Sequence, residues 1–410
     1  MPSTLPDGEP APSDGSLPAS ALAEAAARPL SVYVHVPFCA VRCGYCDFNT
    51  YTASELGAGG PPGASRDTYA GAVVEEIRLA RTVLGGLDVP VSTVFFGGGT
   101  PTLLDPADLG RVLGAIRDEL GLATGAEVTT EANPDSVDVA ALTRLREAGF
   151  TRVSFGVQSV VPHVLRTLDR THDPERAAQV VGWAREAGFD SVSLDLIYGT
   201  PGESAADWQA SLDAVVGAAP DHVSAYALIV EDGTRLAARV RRGELPAPDD
   251  DDLADKYLRA EATLSAAGLG WYEVSNWATG PEQECRHNLA YWRGDSWWGA
   301  GPGAHSHVGG VRWWNVKHPA AYAARIAAGE SPAHARELLG PEDRRVEEIL
   351  LRLRLAEGLP LDLLHLVGQA AARRAVDAGL LRKAAHDDGR AALTLRGRLL
   401  ADAVVRDLVD

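Results

Sequence analysis

The chain has 410 residues, of which 46% are hydrophobic and 23% are charged, a balance typical of globular proteins with a sizeable core. Its formal net charge is −18 at pH 7. No lysine or arginine cluster supplies a basic face, which argues against a nucleic-acid-binding protein. No run of about 18 apolar residues is present, so we expect no membrane-spanning helix.

The N-terminal segment is rich in proline, serine, aspartate and glycine. It lacks the basic start and apolar run of a secretory signal. This composition predicts a disordered tail over residues 1–28. Because neither an export signal nor a membrane span is recognised, we expect a cytoplasmic protein.

Strands and helices alternate after this segment. Short apolar runs predict strands near residues 31, 91, 127, 151, 191 and 222, and helical spacing fills the intervals between them. Residues 146–156 (REAGFTRVSFG) nearly repeat as residues 185–195 (REAGFDSVSLD), each copy being a helix end, a glycine stop and a strand. Alternation of this kind favours parallel βα units over a helical or propeller array. The predicted fold class is α/β, a partial (β/α)6 barrel open on one side.

The pattern changes after this barrel and predicts further boundaries. The barrel is expected over residues 29–240, and an aromatic- and glycine-rich extension over residues 241–335. Residues 336–410 are expected to form a small, mostly helical C-terminal domain that resembles a winged helix. We find no residues there whose chemistry suggests a site.

Three of the four cysteines lie in the motif Cys39-Ala-Val-Arg-Cys43-Gly-Tyr-Cys46. In a cytosolic chain such a cluster favours a metal site over a disulfide, and thiolates are the usual ligands of iron–sulfur clusters. Three thiolates for four irons leave one iron open, which S-adenosylmethionine can chelate. We therefore predict a [4Fe-4S] cluster on Cys39, Cys43 and Cys46. Structural zinc, which normally needs a fourth ligand, and inert thiols are the alternatives; position 48 is Phe48, and His35 lies within a predicted strand.

Polar and glycine residues follow several of the predicted strands. Gly97-Gly98-Gly99-Thr100-Pro101-Thr102 follows the second strand, and Glu131, Gln158 and Asp195 end later ones. Ligands of parallel α/β folds bind at the carboxyl ends of strands. The sequence therefore predicts a cofactor pocket facing the cysteine loop.

Taken together, these motifs resemble the coproporphyrinogen-dehydrogenase branch of the radical S-adenosylmethionine (SAM) proteins. The resemblance covers residues 31–400 and includes Glu131-Ala-Asn-Pro, Phe155-Gly-Val-Gln-Ser and Asp195-Leu-Ile-Tyr-Gly. It implies SAM contacts at positions throughout the barrel: Tyr33 beside the methionine moiety, Gly98, Gly99 and Thr100 at its amino-acid end, Glu131, Gln158, Arg170 and Asp195 around the ribose and carboxylate, and Ala227 on the adenine side.

Two details distinguish members of this branch. Its oxidases have another cysteine two residues after the third, where this chain has Phe48. The segment His287-Asn-Leu-Ala-Tyr291-Trp292 resembles the H-N-x-x-Y-W motif of haem chaperones within the branch. This likeness implies that His287 helps to hold haem, with flat apolar surface from Tyr291, Trp292, Trp297 and Trp298. Cys285 is the alternative iron ligand or a buried thiol, and His305 is interpreted as a support of the core.

The resemblance implies a haem chaperone that holds a [4Fe-4S] cluster and SAM and passes haem to an acceptor protein. The alternative is an oxygen-independent coproporphyrinogen III dehydrogenase, which would draw on a reduced electron donor and which Phe48 disfavours. A methyltransferase or haem-degrading enzyme of the same branch is a third interpretation. No catalytic residue is assigned, and a homodimer is left open.

Overall fold

One sheet of thirteen strands organises the computed structural model, which describes residues 7–56, 61–85, 87–170 and 173–409. Its strands are β1 (Glu9–Pro10), β2 (Leu30–Val36), β3 (Val91–Gly98), β4 (Leu122–Ala132), β5 (Arg152–Gln158), β6 (Ser191–Tyr198), β7 (His222–Ala227), β8 (Gly270–Glu273), β9 (Asn276–Ala278), β10 (Ser296–Ala300), β11 (His305–Val308), β12 (Val311–Asn315) and β13 (Ala333–Leu338). A separate pair consists of β14 (Leu359–Pro360) and β15 (Arg390–Ala391).

The helices connect these strands and cover the sheet. They are α1 (Ala19–Ala25), α2 (Ala53–Leu56), α3 (Arg66–Leu84), α4 (Pro106–Leu120), α5 (Val139–Ala148), α6 (Pro162–Thr167), α7 (Arg176–Glu186), α8 (Ala205–Ala218), α9 (Arg235–Arg241), α10 (Asp250–Ala266), α11 (Arg286–Arg293), α12 (Pro319–Ala327), α13 (Pro341–Arg352), α14 (Leu366–Asp377), α15 (Lys383–Asp387), α16 (Leu395–Leu399) and α17 (Ala401–Val409). Within the described residues, none of them has the length and apolar character that crossing a membrane requires.

The six predicted strands form the parallel centre of the sheet. They lie side by side in the order β2-β3-β4-β5-β6-β7. Central strands are covered on both faces and are therefore apolar along most of their length; six of the seven residues of β2 are buried. The outer strands of the described sheet are β1 and β8, which do not pair with each other. The predicted α/β fold with an open, partial (β/α)6 arrangement is confirmed.

The aromatic- and glycine-rich extension adds strands to both sides of this centre. Strands β8 and β9 continue the sheet beside β7, and both pairings are antiparallel. On the other side, β10 joins β2 in parallel and is followed by the antiparallel strands β11, β12 and β13. The extension is thus part of the same sheet as the barrel.

The predicted disordered tail is wrong for the described residues 7–28, while residues 1–6 lie outside the described residues. Glu9 pairs with Arg336 at the edge of the sheet, and α1 buries Ala21 and Ala25. A Cβ atom added to Gly309 would collide with the Ala21 carbonyl oxygen, so the helix packs directly on the turn after β11. A segment with few large apolar residues is expected to be disordered, but composition does not register close packing between alanines and glycines.

The C-terminal segment has a hydrophobic cluster of its own. Its buried members are Ile349, Leu353, Leu359, Leu364, Ala371, Ala372, Leu381, Ala391, Leu393, Ala401, Val404, Val405 and Leu408. The predicted helical character of this segment is confirmed. Arg398 joins it to the sheet-bearing part, because its guanidinium pairs with Glu261 at 2.8 Å and lies 4.0 Å from the centre of the Trp271 ring.

Candidate functional site

The three clustered cysteines lie on the loop that follows β2. This loop is fastened at two points, because the Cys39 N–H donates to the Tyr51 carbonyl at 3.0 Å and the Gly44 N–H donates to the Leu168 carbonyl at 3.2 Å. The thiols of Cys39, Cys43 and Cys46 are free and half-buried. All three cysteines line one cavity of about 290 Å³.

The opposite wall of this cavity comes from the carboxyl ends of the parallel strands. The structure brings together the cysteines and most of the sequence-predicted SAM residues, namely Gly98, Gly99, Thr100, Glu131, Gln158, Arg170 and Asp195. Tyr33 and Ala227 are not among the residues that line it. The Tyr33 hydroxyl bonds with His35 Nδ1 at 2.9 Å and faces two neighbouring cavities, while Ala227 pairs with Tyr198 at the end of β7.

The glycine loop after β3 touches the cysteine loop backbone to backbone. A Cβ atom on Gly99 would collide with the Phe38 carbonyl oxygen and would lie 3.0 Å from Cys39 Sγ. The Gly99 and Thr100 N–H groups donate to the carbonyls of Val36 and Phe38, each at 2.8 Å. A side chain at position 99 would therefore separate the two loops that form the cavity.

Two partly buried carboxyl groups, Glu131 and Asp195, line the cavity. Glu131 accepts the Gly98 N–H at 3.0 Å, and burial together with the charge of Asp195 raises the pKa of Glu131 to about 8. Asp195 accepts the Ser154 hydroxyl at 2.9 Å, and burial raises its pKa. A bound ammonium group or hydroxyl donors would stabilise the ionised form of these carboxyls, which burial disfavours.

Burial also disfavours the thiolate form of two of the cysteines. Burial raises the pKa of Cys39 to about 11, and it raises the pKa of Cys46. Adjacent metal ions would compensate the thiolate charges. Arg170 donates to Cys43 Sγ at 3.6 Å, and its Nε is buried without a hydrogen-bond partner among the described residues.

The backbone holds Gln158 in the cavity wall in an uncommon conformation. Gln158 has φ of 64°, next to an irregularity in the pairing of β5 with β6. Left-handed conformations of residues other than glycine cluster at binding sites. Asp169, which precedes Arg170, has φ of 55°, so two adjoining parts of the wall share this feature.

The donor set fits a cluster bound by three thiols and a small ligand beside it. The cavity adjoins Phe48 rather than a fourth cysteine. No three His, Cys, Asp or Glu side chains within the described ranges are arranged around a single metal ion.

His287 lies in the interior, beside a smaller cavity of about 190 Å³. Its Nδ1 bonds with the Thr93 hydroxyl at 2.7 Å and its Nε2 bonds with the Tyr291 hydroxyl at 2.9 Å. The ring stacks on Phe95, with 5.1 Å between centres, and burial lowers its pKa to about 3. Both ring nitrogens are therefore engaged with protein groups.

Cys285 is buried next to this histidine. Its thiol donates to Glu127 Oε1 at 3.7 Å, and the same carboxylate accepts the His287 N–H at 3.0 Å. Burial raises the pKa of Cys285 far above its usual range. Of the two interpretations of Cys285, the arrangement favours the buried thiol.

A third cavity, of about 670 Å³, opens beside β2 and β11. Tyr291 and Trp297 line it, whereas Trp298 packs on Trp313 in the core and Trp292 packs in a cluster with Leu355. Two of the four aromatic residues proposed from the sequence thus reach this cavity, and two do not.

Sequence reasoning missed several residues of this large cavity. His305, interpreted from the sequence as a core support, lies on the wall together with His307, Arg28 and Arg344. The alternation His305-Ser-His307 could have indicated two imidazoles on one face of a strand. Phe48 lines both this cavity and the cysteine cavity, so the two are neighbours.

Comparison with known proteins identifies the relatives of this chain. The Radical SAM superfamily profile matches residues 33–215. A protein of Mycobacterium tuberculosis named Heme chaperone HemW is 54% identical over 389 residues, which cover 95% of this chain and 97% of the relative. Heme chaperone HemW of Bacillus subtilis is 33% identical over 80% of this chain and 84% of the relative.

A solved structure has the same fold. Coproporphyrinogen III oxidase (HemN) from Escherichia coli superimposes with a TM-score of 0.79 and 26% identity, covering 95% of this chain and 92% of the oxidase chain. The near-complete coverage by relatives more than 30% identical, together with the cysteine cavity, places the chain in a family. This chain belongs to the HemW family of radical SAM proteins.

Proposed function

We propose that this protein is a haem chaperone, which binds haem and passes it to an acceptor protein. The observation that carries the proposal is the 54% identity, over nearly the whole of both chains, to a protein named Heme chaperone HemW. The HNxxYW segment and the phenylalanine at position 48 support it. The proposed acceptor is an apo-haem protein.

In this proposal the cysteine cavity holds the resident cofactors. Cys39, Cys43 and Cys46 would bind a [4Fe-4S] cluster, and SAM would lie against Gly98, Gly99, Thr100, Glu131, Gln158, Arg170 and Asp195, with Tyr33 and Ala227 as outer contacts. When bound, the cluster and SAM would supply one-electron radical chemistry. The chain's own residues bind and orient the ligand: Glu131 and Asp195 accept its donors, and the glycine loop excludes water from one side.

We also propose a division into units and a location. Residues 29–240 carry the cofactors, residues 241–335 supply the haem-facing strands, and residues 336–410 cap them. Three closely spaced thiols and a strongly acidic chain suit the reducing cytoplasm. Haem, the acceptor and a reduced electron donor are the proposed partners, and a homodimer stays an open prediction.

A second function is favoured by one observation, the likeness to HemN of Escherichia coli. An oxygen-independent coproporphyrinogen III dehydrogenase would use the same cofactor cavity to oxidise the propionate groups of its substrate. It differs from the chaperone in its product. Anaerobic incubation with reductant, SAM and coproporphyrinogen III, followed by porphyrin chromatography, distinguishes the two.

The first experiment is a haem titration of the anaerobically reconstituted full chain, read by absorbance. We expect a stoichiometric Soret band, release of haem to an added apo-haem protein, and no decarboxylated porphyrin. Conversion of coproporphyrinogen III without haem binding would reject the chaperone. A triple variant, Cys39→Ala/Cys43→Ala/Cys46→Ala, shows how far haem binding depends on the cluster.

A further inference from the structure

The large cavity has the size and wall chemistry of a porphyrin site, an inference that rests on the proposed chaperone function. Its volume of about 670 Å³ lies within the range of roughly 300–1,000 Å³ found for small-molecule sites. Apolar side chains from three elements line it, including Tyr291, Trp297 and Leu351. Flat aromatic surface beside charged groups suits a planar ligand with ionised edges.

One histidine in this wall is oriented for metal binding. His307 Nδ1 bonds with the Asp295 carbonyl oxygen at 3.3 Å, an arrangement in which the proton resides on Nδ1. No described residue hydrogen-bonds to Nε2. Histidines that bind metals commonly donate one ring N–H to a backbone carbonyl, which leaves the other nitrogen free as the ligand. The His307 ring packs at 5.1 Å from the Trp297 ring, which limits its rotation.

The other two histidines near the cavity are less suited to bind a metal ion. His35 bonds with Tyr33 through Nδ1 and with the Asn49 carbonyl through Nε2, both at 2.9 Å. His305 stacks on Trp314 at 5.9 Å between centres, and no described residue hydrogen-bonds to its ring, so nothing fixes its tautomer. Of the three histidines, His307 is therefore the one best placed to bind iron.

Guanidinium groups surround the same histidine. Arg28, Arg312 and Arg344 act on its charge state from the cavity wall. Arg312 is paired with Glu337 and Glu347, and Arg344 is paired with Glu24.

Arg28, unlike these two arginines, is not paired with a carboxylate of the described residues. It donates to the Gly294 carbonyl at 3.1 Å, and no described carboxylate lies within salt-bridge distance, although the charge of Asp295 acts at longer range. Carboxylates Glu24, Glu347 and Glu348 also line the cavity, so a propionate would be directed to Arg28. Arginine is well suited to such a carboxylate because its fork donates two parallel hydrogen bonds.

The HNxxYW segment reaches this cavity through Tyr291. His287 bonds with the Tyr291 hydroxyl, the Tyr291 ring meets the Trp297 ring at 4.7 Å and 77°, and Trp297 contacts His307. His287 is thus a positioning residue, which acts on the wall through two aromatic rings. This explains how the motif could matter for haem although both nitrogens of His287 are engaged.

We propose that haem binds in the cavity between β2, β11, α1 and α13, with Nε2 of His307 as an axial ligand of its iron and Arg28 as a partner of a propionate. Phe48 separates this cavity from the cysteine cavity. The haem would thus lie beside the cluster.

The test compares haem with protoporphyrin IX, which lacks iron. Full-length, anaerobically reconstituted wild type, His307→Ala, His305→Ala, His287→Ala and Arg28→Ala are titrated with each. We expect His307→Ala to lose at least about tenfold in haem affinity and to shift the Soret band, while its protoporphyrin IX affinity stays at the wild-type value. Added imidazole should restore the band of His307→Gly.

The remaining variants give the matched controls. His305→Ala removes another wall imidazole and should leave the Soret band in place, because His307 remains as the ligand. His287→Ala should weaken both ligands without moving the Soret band, and Arg28→Ala should weaken both by roughly tenfold, with partial rescue in Arg28→Lys. A wild-type spectrum and affinity in His307→Ala would overturn the assignment while haem binding by wild type still stands. Failure of wild type to bind haem would overturn the proposed function itself.

Discussion

The four cysteines of this chain differ in what their thiols can reach. Cys39, Cys43 and Cys46 share one cavity with Arg170, whereas the Cys285 thiol is buried against Glu127. We predict that Cys43→Ala abolishes a [4Fe-4S] cluster and that Cys285→Ala retains it. Iron and sulfide content of reconstituted protein measures the difference. Equal iron in both variants would contradict the assignment of the cluster.

A buried carboxyl on α3 makes a separate prediction about pH. Glu76 accepts hydrogen bonds from Gly301 N–H, Asn315 Nδ2 and the Tyr322 hydroxyl. Burial outweighs these bonds and raises the pKa of Glu76 from its ordinary 4.5 to about 7. The folded state therefore holds the proton more tightly than the unfolded state, and the contribution of this group to stability falls as the pH rises between these values.

The variant Glu76→Gln does not titrate and isolates this effect. Between pH 5.5 and 7, the unfolding free energy of wild type should fall by about 2 kcal/mol relative to that of Glu76→Gln. Denaturant unfolding of both proteins at a series of pH values measures the difference. A difference that stays constant across this range would show that Glu76 titrates at its ordinary pKa.

Among the elements, α1 is a packed helix in a segment for which composition predicted disorder. It buries Ala21 on the turn after β11, and Glu24 pairs with Arg344 on α13. We predict that Ala21→Asp lowers the unfolding free energy by about 3 kcal/mol, because a charge would be buried there. Ala27→Asp, at an exposed position just past the helix, should change it by less than about 0.5 kcal/mol. Thermal unfolding of the two variants compares them, and similar values would mean that α1 is not packed on the sheet.

The parallel strands and the cysteine cavity could be predicted from the sequence because each depends on local patterns. Apolar runs predict the positions of the strands. Gly99 and Asp195 line the cavity because they lie near the carboxyl ends of two of these strands. The large cavity could be predicted only in part: Tyr291 and Trp297 follow from the motif, whereas Arg28 lies 266 residues before Gly294, whose carbonyl it contacts. The orientation of His287 was also hidden, because its partner Thr93 lies on a different element, 194 residues away.

For the whole molecule, Arg398 is one of several side chains that join the C-terminal segment to the sheet, beside the Arg293–Glu357 pair and the packing of Leu355 with Tyr272. Arg398 is largely buried against Glu261 and Trp271. We predict that Arg398→Ala lowers the unfolding free energy by about 2 kcal/mol and speeds proteolysis near residue 340. Arg396→Ala, on the exposed side of the same helix, is the matched control. Equal proteolysis rates would show that Arg398 does not help to hold the C-terminal segment on the sheet.

The pairing of β1 with β13 has a consequence for how the chain is made. Glu9 and Arg336 are 327 residues apart, and synthesis at about 5–20 residues per second separates their appearance by roughly 15–65 s. Strand β1 is therefore synthesised well before β13, the strand with which it pairs. During that interval the backbone hydrogen-bonding groups of β1 can bind only solvent or a chaperone. The sheet therefore gains this outer strand only after β13 has been synthesised.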